Sequence, residues 1–163
     1  MKEAHIYTDG SHLDKQNNGR LGCGGVLVMS GKLIDTFSVE LPPSYMKDKF
    51  GADKCSNPSA ELVAVYFALL AFEKYLKGVD SIILHADYLG VSNWMNGSWK
   101  INEKYIQAIK NEIDKEIKRQ KLTGCISYSW VKGHQTNTMK GTDAYWNNFV
   151  DKLAKGKDFD GKN

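Results

Sequence analysis

With 163 residues the chain is long enough for one domain that buries a proper core without disulfide staples. Its 42% hydrophobic and 25% charged residues are ordinary for a soluble globular protein and exclude a mostly disordered chain. Lys and Arg number 22 against 19 Asp and Glu, so the net charge of +3 is only a weak pull toward an anionic partner.

Residues 3–8 alternate, with Ala4, Ile6 and Thr8 on one side and His5, Tyr7 and Asp9 on the other. This predicts a first strand, broken by Gly10-Ser11. Apolar runs at 24–29 and 32–41, separated by Ser30-Gly31, predict a hairpin. Residues 42–56 read as a long irregular segment. Asn57-Pro58 then reads as N-cap and first helical residue, ahead of a helix over 60–72. That helix is apolar or small on every side except at Glu61, a pattern that predicts burial. A lone carboxylate in its first turn sits at the edge of a core, where an unpaired charge is expensive.

A fourth strand over 79–86 contains the apolar run Ile82-Ile83-Leu84 and ends at Asp87. Residues 101–121 predict an amphipathic helix, with Ile101, Tyr105, Ile109, Ile113 and Ile117 recurring every four residues. A fifth strand over 126–131 carries Ile126, Tyr128 and Trp130 on one face. A polar loop runs to Thr142. The last helix, over 143–155, buries Tyr145, Phe149, Val150 and Leu153 and stacks Asn147 and Asp151 on one face. Residues 1–155 form one domain, followed by a polar tail at 156–163 that is expected to fray. The order β-β-β-α-β-α-β-α predicts an α/β fold whose first three strands are antiparallel and whose later strands are parallel to a neighbour.

The longest apolar run, 62–72, is eleven residues, too short to span a bilayer. The first residues offer no apolar segment for a secretory signal, which points to the cytoplasm. Cys23, Cys55 and Cys125 are widely spaced with no Cys-x-x-Cys pair, and free thiols are expected.

Four carboxylates stand at element ends: Asp9, Glu61, Asp87 and Asp151. Sites in α/β sheets gather beyond the carboxyl ends of strands. If the first and fourth strands are adjacent and parallel, Asp9 and Asp87 lie roughly 5 Å apart. Charges that close favour protonation or a divalent cation, and Mg2+ suits a carboxylate cluster open on one side. Singly, each has a structural reading: a turn residue for Asp9, a helix-dipole partner for Glu61, a solvated helix face for Asp151.

Tyr7-Thr8-Asp9-Gly10-Ser11, Gly24-Gly25-Val26, Ser59-Ala60-Glu61-Leu62, Leu84-His85-Ala86-Asp87, Trp130-Val131-Lys132-Gly133-His134, and Asn147 with Asp151-Lys152-Leu153-Ala154 occur in that order. Over residues 3–155 the chain strongly resembles ribonuclease H of type 1. The resemblance implies an RNase H-like five-stranded mixed sheet in order 3-2-1-4-5 and hydrolysis of the RNA strand of RNA–DNA hybrids, leaving 5′-phosphate and 3′-hydroxyl ends. It implies two Mg2+ or Mn2+ ions on Asp9, Glu61, Asp87 and Asp151. His134 takes the place of a mobile histidine that assists proton transfer or product release. Its loop has no apolar period, so it is expected to be poorly anchored. Candidate substrate contacts are the backbone at Gly10 and Ser11 together with Asn57 and Asn147. A monomer is expected.

Four features depart from the family. Tyr88 follows Asp87 where serine is usual, and Leu89 stands where a polar contact is common. Pro58 replaces a second asparagine, leaving Asn57 as either helix cap or substrate contact. The loop after His134 is longer than usual. Some members of the family carry a basic, Trp-rich handle that clamps the DNA strand; here, between Lys100 and Lys121, seven Lys and Arg face four Asp and Glu, which reads as an ordinary solvated helix face or a mild phosphate-binding stripe, and so as a handle-less or reduced version. Two other functions remain open on this fold: a nuclease acting on DNA or junctions, and a non-catalytic hybrid-binding module.

Overall fold

Strand β1 (Glu3–His12) runs four residues beyond its predicted end at Thr8, through the predicted break. The computed structural model describes residues 2–13, 20–136 and 138–156; the tail expected to fray lies, from residue 157 onward, outside the described residues. Gly10 and Ser11 remain in the ladder, opposite Cys23 and Gly22 of β2 (Leu21–Met29). Gly10 is there for close approach rather than for a turn. Helix α2 (Asn57–Ala71) crosses directly over it, and a Cβ at Gly10 would lie 2.1 Å from the Ala60 carbonyl carbon.

The expected hairpin joins β2 to β3 (Lys32–Leu41). Its two turn residues, Ser30 and Gly31, have φ of 52° and 73°. Positive φ at both central positions is the turn whose twist matches the flanking strands.

Residues 42–56 are not wholly irregular. Helix α1 (Pro43–Phe50) opens on proline and buries Met46 and Phe50, one helical turn apart, as its only buried residues. With so short an apolar pattern it left no period to read.

Helix α2 is capped by Ser56, not Asn57. Ser56 Oγ accepts from the Ser59 amide at 3.2 Å, and Ser59 Oγ accepts from the Ser56 amide at 2.9 Å, a reciprocal capping box. Asn57 and Pro58 are therefore its first two helical residues. The helix buries Leu62, Val63, Val65 and Leu69 among others, and Phe72 just beyond it is fully buried. Each large side chain contributes about 1.5–3 kcal/mol, and together these outweigh the several kcal/mol of holding one carboxylate in the same helix.

After α3 (Glu73–Leu76) come β4 (Ser81–Ala86) and α4 (Leu89–Met95), the latter unannounced by any apolar period. Helix α5 (Lys104–Arg119) begins later than predicted and buries Ile106, Ile109 and Ile113. Ile101, Tyr105 and Ile117 pack only at the core's margin. A four-residue step turns a helix by about 400°, so the stripe drifts by about 40° each time and its ends leave the core. β5 (Ile126–Trp130) and α6 (Asp143–Ala154) follow.

The sheet order is β3-β2-β1-β4-β5. β1–β2 and β2–β3 are antiparallel, and β1–β4 and β4–β5 parallel, as the element order predicts. The alternation read in β1 is realised. Ala4 and Ile6 face α2 and α5, while Tyr7 joins Val26, Val28, Trp146, Phe149 and Val150 under α6. Cys23 and Cys125 are free thiols. Among the described residues no helix is long and apolar enough to cross a membrane.

Gly10→Ala should destabilise the chain by about 3 kcal/mol, since backbone of both β1 and α2 must move to admit the methyl group. Denaturant midpoints at unchanged slope measure this.

Candidate active site

The parallel pairing of β1 with β4 sets Tyr7 beside His85. Two residues further on, Asp9 and Asp87 emerge side by side at the same end of the sheet. Helix α2 brings Glu61 to them, and one oxygen from each of the three carboxylates lies within 4.8 Å of the others. Asp9 and Glu61 are 4% and 6% exposed, so little solvent screens them. Asp151, two turns into α6, approaches Asp9 and Asp87 closely enough to raise both carboxyl groups.

Burial, reinforced by the charge of Glu61, pushes the Asp9 carboxyl well above the usual range. Burial pushes Glu61 up to about 8, although its contact with Asp9 and the Gly10 amide oppose the shift. Asp87 is raised by burial and by the charge of Asp151. The Gly10 amide donates to Glu61 Oε1 at 3.1 Å. Glu61 Oε2 is buried and has no hydrogen-bond partner among the described residues. An orphaned carboxylate oxygen facing two more carboxylates is what a hard divalent cation would satisfy, and the donor set is all oxygen. The residues therefore fit a hard divalent cation.

A cleft of about 580 Å³ opens over this cluster. Asp9, Glu61, Asp87 and Asp151 line it, with Gly10, Ser11, Asn57 and His134. Asn57 is not a cap: its Oδ1 accepts from the His12 amide at 2.8 Å and ties the start of α2 to the end of β1. Asn147, expected as a substrate contact, is instead 2% exposed and hydrogen-bonds Asp87 from behind. It positions the carboxylate.

His134 is exposed at the cleft mouth with φ of 54°. The loop that was expected to be poorly anchored is tied down at its first residue, Gln135. Gln135 Nε2 donates to the Lys132 carbonyl at 2.7 Å, and Asn148 Nδ2 donates to the Gln135 carbonyl at 2.8 Å. These polar tethers leave no apolar period in sequence.

Lys155 also lines the cleft, and its Nζ lies 3.1 Å from Asp151 Oδ2. No motif singles it out, although a lysine four residues after a helical aspartate is a legible pair. Tyr88, the departure from serine, lines the cleft and packs its ring on Trp94 at 5.6 Å. On α5, Lys110, Lys115 and Arg119 pair with Asp114, Glu112 and Glu116. That favours a solvated helix face over a phosphate-binding stripe.

The RNase H family model matches residues 1–158. The chain belongs to the RNase H family. It is a hydrolase and an endoribonuclease acting on the RNA strand of RNA–DNA hybrids. No curated protein matches the sequence. Among solved structures, RNase H1 of the halophilic archaeon Halobacterium salinarum is 24% identical, with TM-score 0.61 over 80% of this chain and 86% of that one. LC11-RNase H1, isolated from compost, is 20% identical with TM-score 0.65 over 96% and 95%. The same LC11-RNase H1 in complex with an RNA/DNA hybrid gives 17% and 0.64, over 79% and 85%. These likenesses establish the fold, and the family match establishes membership.

Burial pushes the Glu61 carboxyl of the cation-free, folded ribonuclease H up to about 8, above the ordinary range it has in the unfolded chain. Stability of the cation-free protein should therefore fall as pH rises through that window. In chelator, the thermal midpoint should be lower at about pH 8 than at about pH 5.5, and millimolar Mg2+ should reverse the difference. Asp9→Asn, which removes one repelling charge, should raise the midpoint in chelator.

Proposed function

We propose that this chain cuts the RNA strand of RNA–DNA hybrids at the Asp9–Glu61–Asp87–Asp151 cluster with two divalent ions, Mg2+ or Mn2+. The observation that carries the reading is Glu61 Oε2, buried and unpaired between carboxylates that repel one another. When bound, such ions activate a water and stabilise the leaving oxygen of a phosphodiester.

The chain's own groups do the rest. Asp9, Glu61, Asp87 and Asp151 supply oxygen ligands. The Gly10 amide and Asn147 hold Glu61 and Asp87 in place. His134, at the rim, handles a proton or speeds product release; as a nitrogen base it suits this better than ligating Mg2+. The backbone at Gly10 and Ser11 and the exposed side of Asn57 face the cleft, where a ribose 2′-hydroxyl would distinguish RNA from DNA. All four carboxylates come from one chain, which supports a monomer, and the free thiols of Cys23 and Cys125 suit the reducing cytoplasm. Products carry 5′-phosphate and 3′-hydroxyl ends.

Cleavage of a labelled hybrid is expected with Mg2+, and none in chelator. Matched duplex DNA should remain intact, and Asp9→Asn should fall to background. Cleavage of the DNA duplex at a comparable rate would favour a DNA nuclease, and binding of hybrid without turnover a non-catalytic module. His134→Ala should keep metal and hybrid affinity and lose about 10²-fold or more in turnover, measured under single-turnover and steady-state conditions. A loss confined to steady state assigns it to release.

A further inference from the structure

Helix α6 presents one polar stripe to the sheet: Asp143, Asn147 and Asp151, each four residues from the next. Every member meets a strand residue. Asp151 reaches Asp9, Asn147 bonds Asp87, and Asp143 accepts a hydrogen bond from the Tyr7 hydroxyl. The strand partners are themselves in register, because Tyr7 pairs with His85 across β1 and β4, two residues before Asp9 and Asp87. Asp143 also faces β4, its Oδ2 lying 4.0 Å from His85 Nδ1.

The three contacts differ in kind. The Asn147–Asp87 hydrogen bond and the approach of Asp151 to Asp9 both lie inside the carboxylate cluster. The apolar contacts of Trp146, Phe149 and Val150 hold the helix down but are non-directional and do not fix its rotation. Asp143–Tyr7 is directional and lies outside the cluster. Its donor is rigid: the Tyr7 ring is 3% exposed, stacked on His85 at 4.3 Å and 9° and packed near Trp146 at 6.4 Å. Its acceptor sits in the first turn of α6, just after the Thr142 cap, where the helix dipole favours a carboxylate.

We infer that Asp143 is a positioning residue, indexing α6 against Tyr7 so that Asn147 and Asp151 arrive at the divalent-ion site. The inference rests on the reading of the four carboxylates as that site. Its test is Mn2+ binding to the metal-free full chain by titration calorimetry, independent of any cleavage. Tyr7→Phe and Asp143→Ala should each weaken Mn2+ binding about tenfold, within the range seen when an outer-shell partner of a metal ligand is removed. Asp143→Asn, which retains the accepting Oδ1, should stay within about twofold of the unmodified chain. The double variant Tyr7→Phe/Asp143→Ala should bind no more weakly than either single one, since one interaction is lost in all three. On hybrid, kcat should fall with KM retained.

Tyr7→Phe keeps the buried ring, so the test survives a failure of Asp143→Ala to fold. Unaltered Mn2+ affinity in Tyr7→Phe overturns the inference. So does additive loss in the double variant, or a loss in Asp143→Asn equal to that in Asp143→Ala, which would make the helix dipole the whole effect. Absence of Mn2+ binding by the unmodified chain overturns the metal-site reading, and this inference with it. Unaltered binding in the variants overturns this inference alone.

Discussion

Carboxylates crowded at one end of a sheet repel, and everything around them is arranged to hold that repulsion in place. Asp9 and Glu61 are nearly inaccessible to water, with Asp87 and Asp151 beside them. Left to themselves such groups would take up protons or move apart. They cannot move apart, because Asp9 lies within a paired strand and Glu61 within a helix buried on nearly every side. The apolar burial of α2 therefore underwrites the electrostatics. The helix cannot retreat without exposing Leu62, Leu69 and the adjoining Phe72.

Closeness at this point depends on a missing side chain. Only glycine at position 10 lets α2 pass so near β1, and the same residue's amide donates to Glu61. Packing and polarity are thus coupled at one residue. Polar ties outside the cluster finish the arrangement: Asn57 joins α2 to β1, Asn147 steadies Asp87, and Asn148 holds the loop behind His134. Each converts an approximate apolar packing into a defined geometry, which catalysis on a phosphodiester requires.

Charge outside the cleft has a different fate. Basic residues on α5 are engaged by neighbouring acids, and Lys155 is drawn to Asp151 inside the cleft. Tyr88 lines the cleft beside Asp87 with its ring packed on Trp94.

Much of this was legible in the residues. The alternation of β1, the Ser30-Gly31 turn and the wholly apolar α2 each follow from local periodicity and backbone freedom, and with the element order they yield the sheet. The four carboxylates were legible as a set because a family's motifs occur in order around them. What periodicity does not encode is close approach and side-chain choice at element ends. Gly10 looked like a break because a glycine kept for contact and one kept for a turn are the same letter. Asn57 looked like a cap, although Ser56 and Ser59 satisfy each other and leave it free for His12. Asn147 looked like a substrate contact until α6 was laid on the sheet, which turned it inward to Asp87. The sequence by itself determined which residues were available for the chemistry, since composition, period and motif order are properties of the chain alone. Only the tertiary structure decided which of them face the cleft and which stand behind it, because that depends on distances between segments that the chain brings together from far apart.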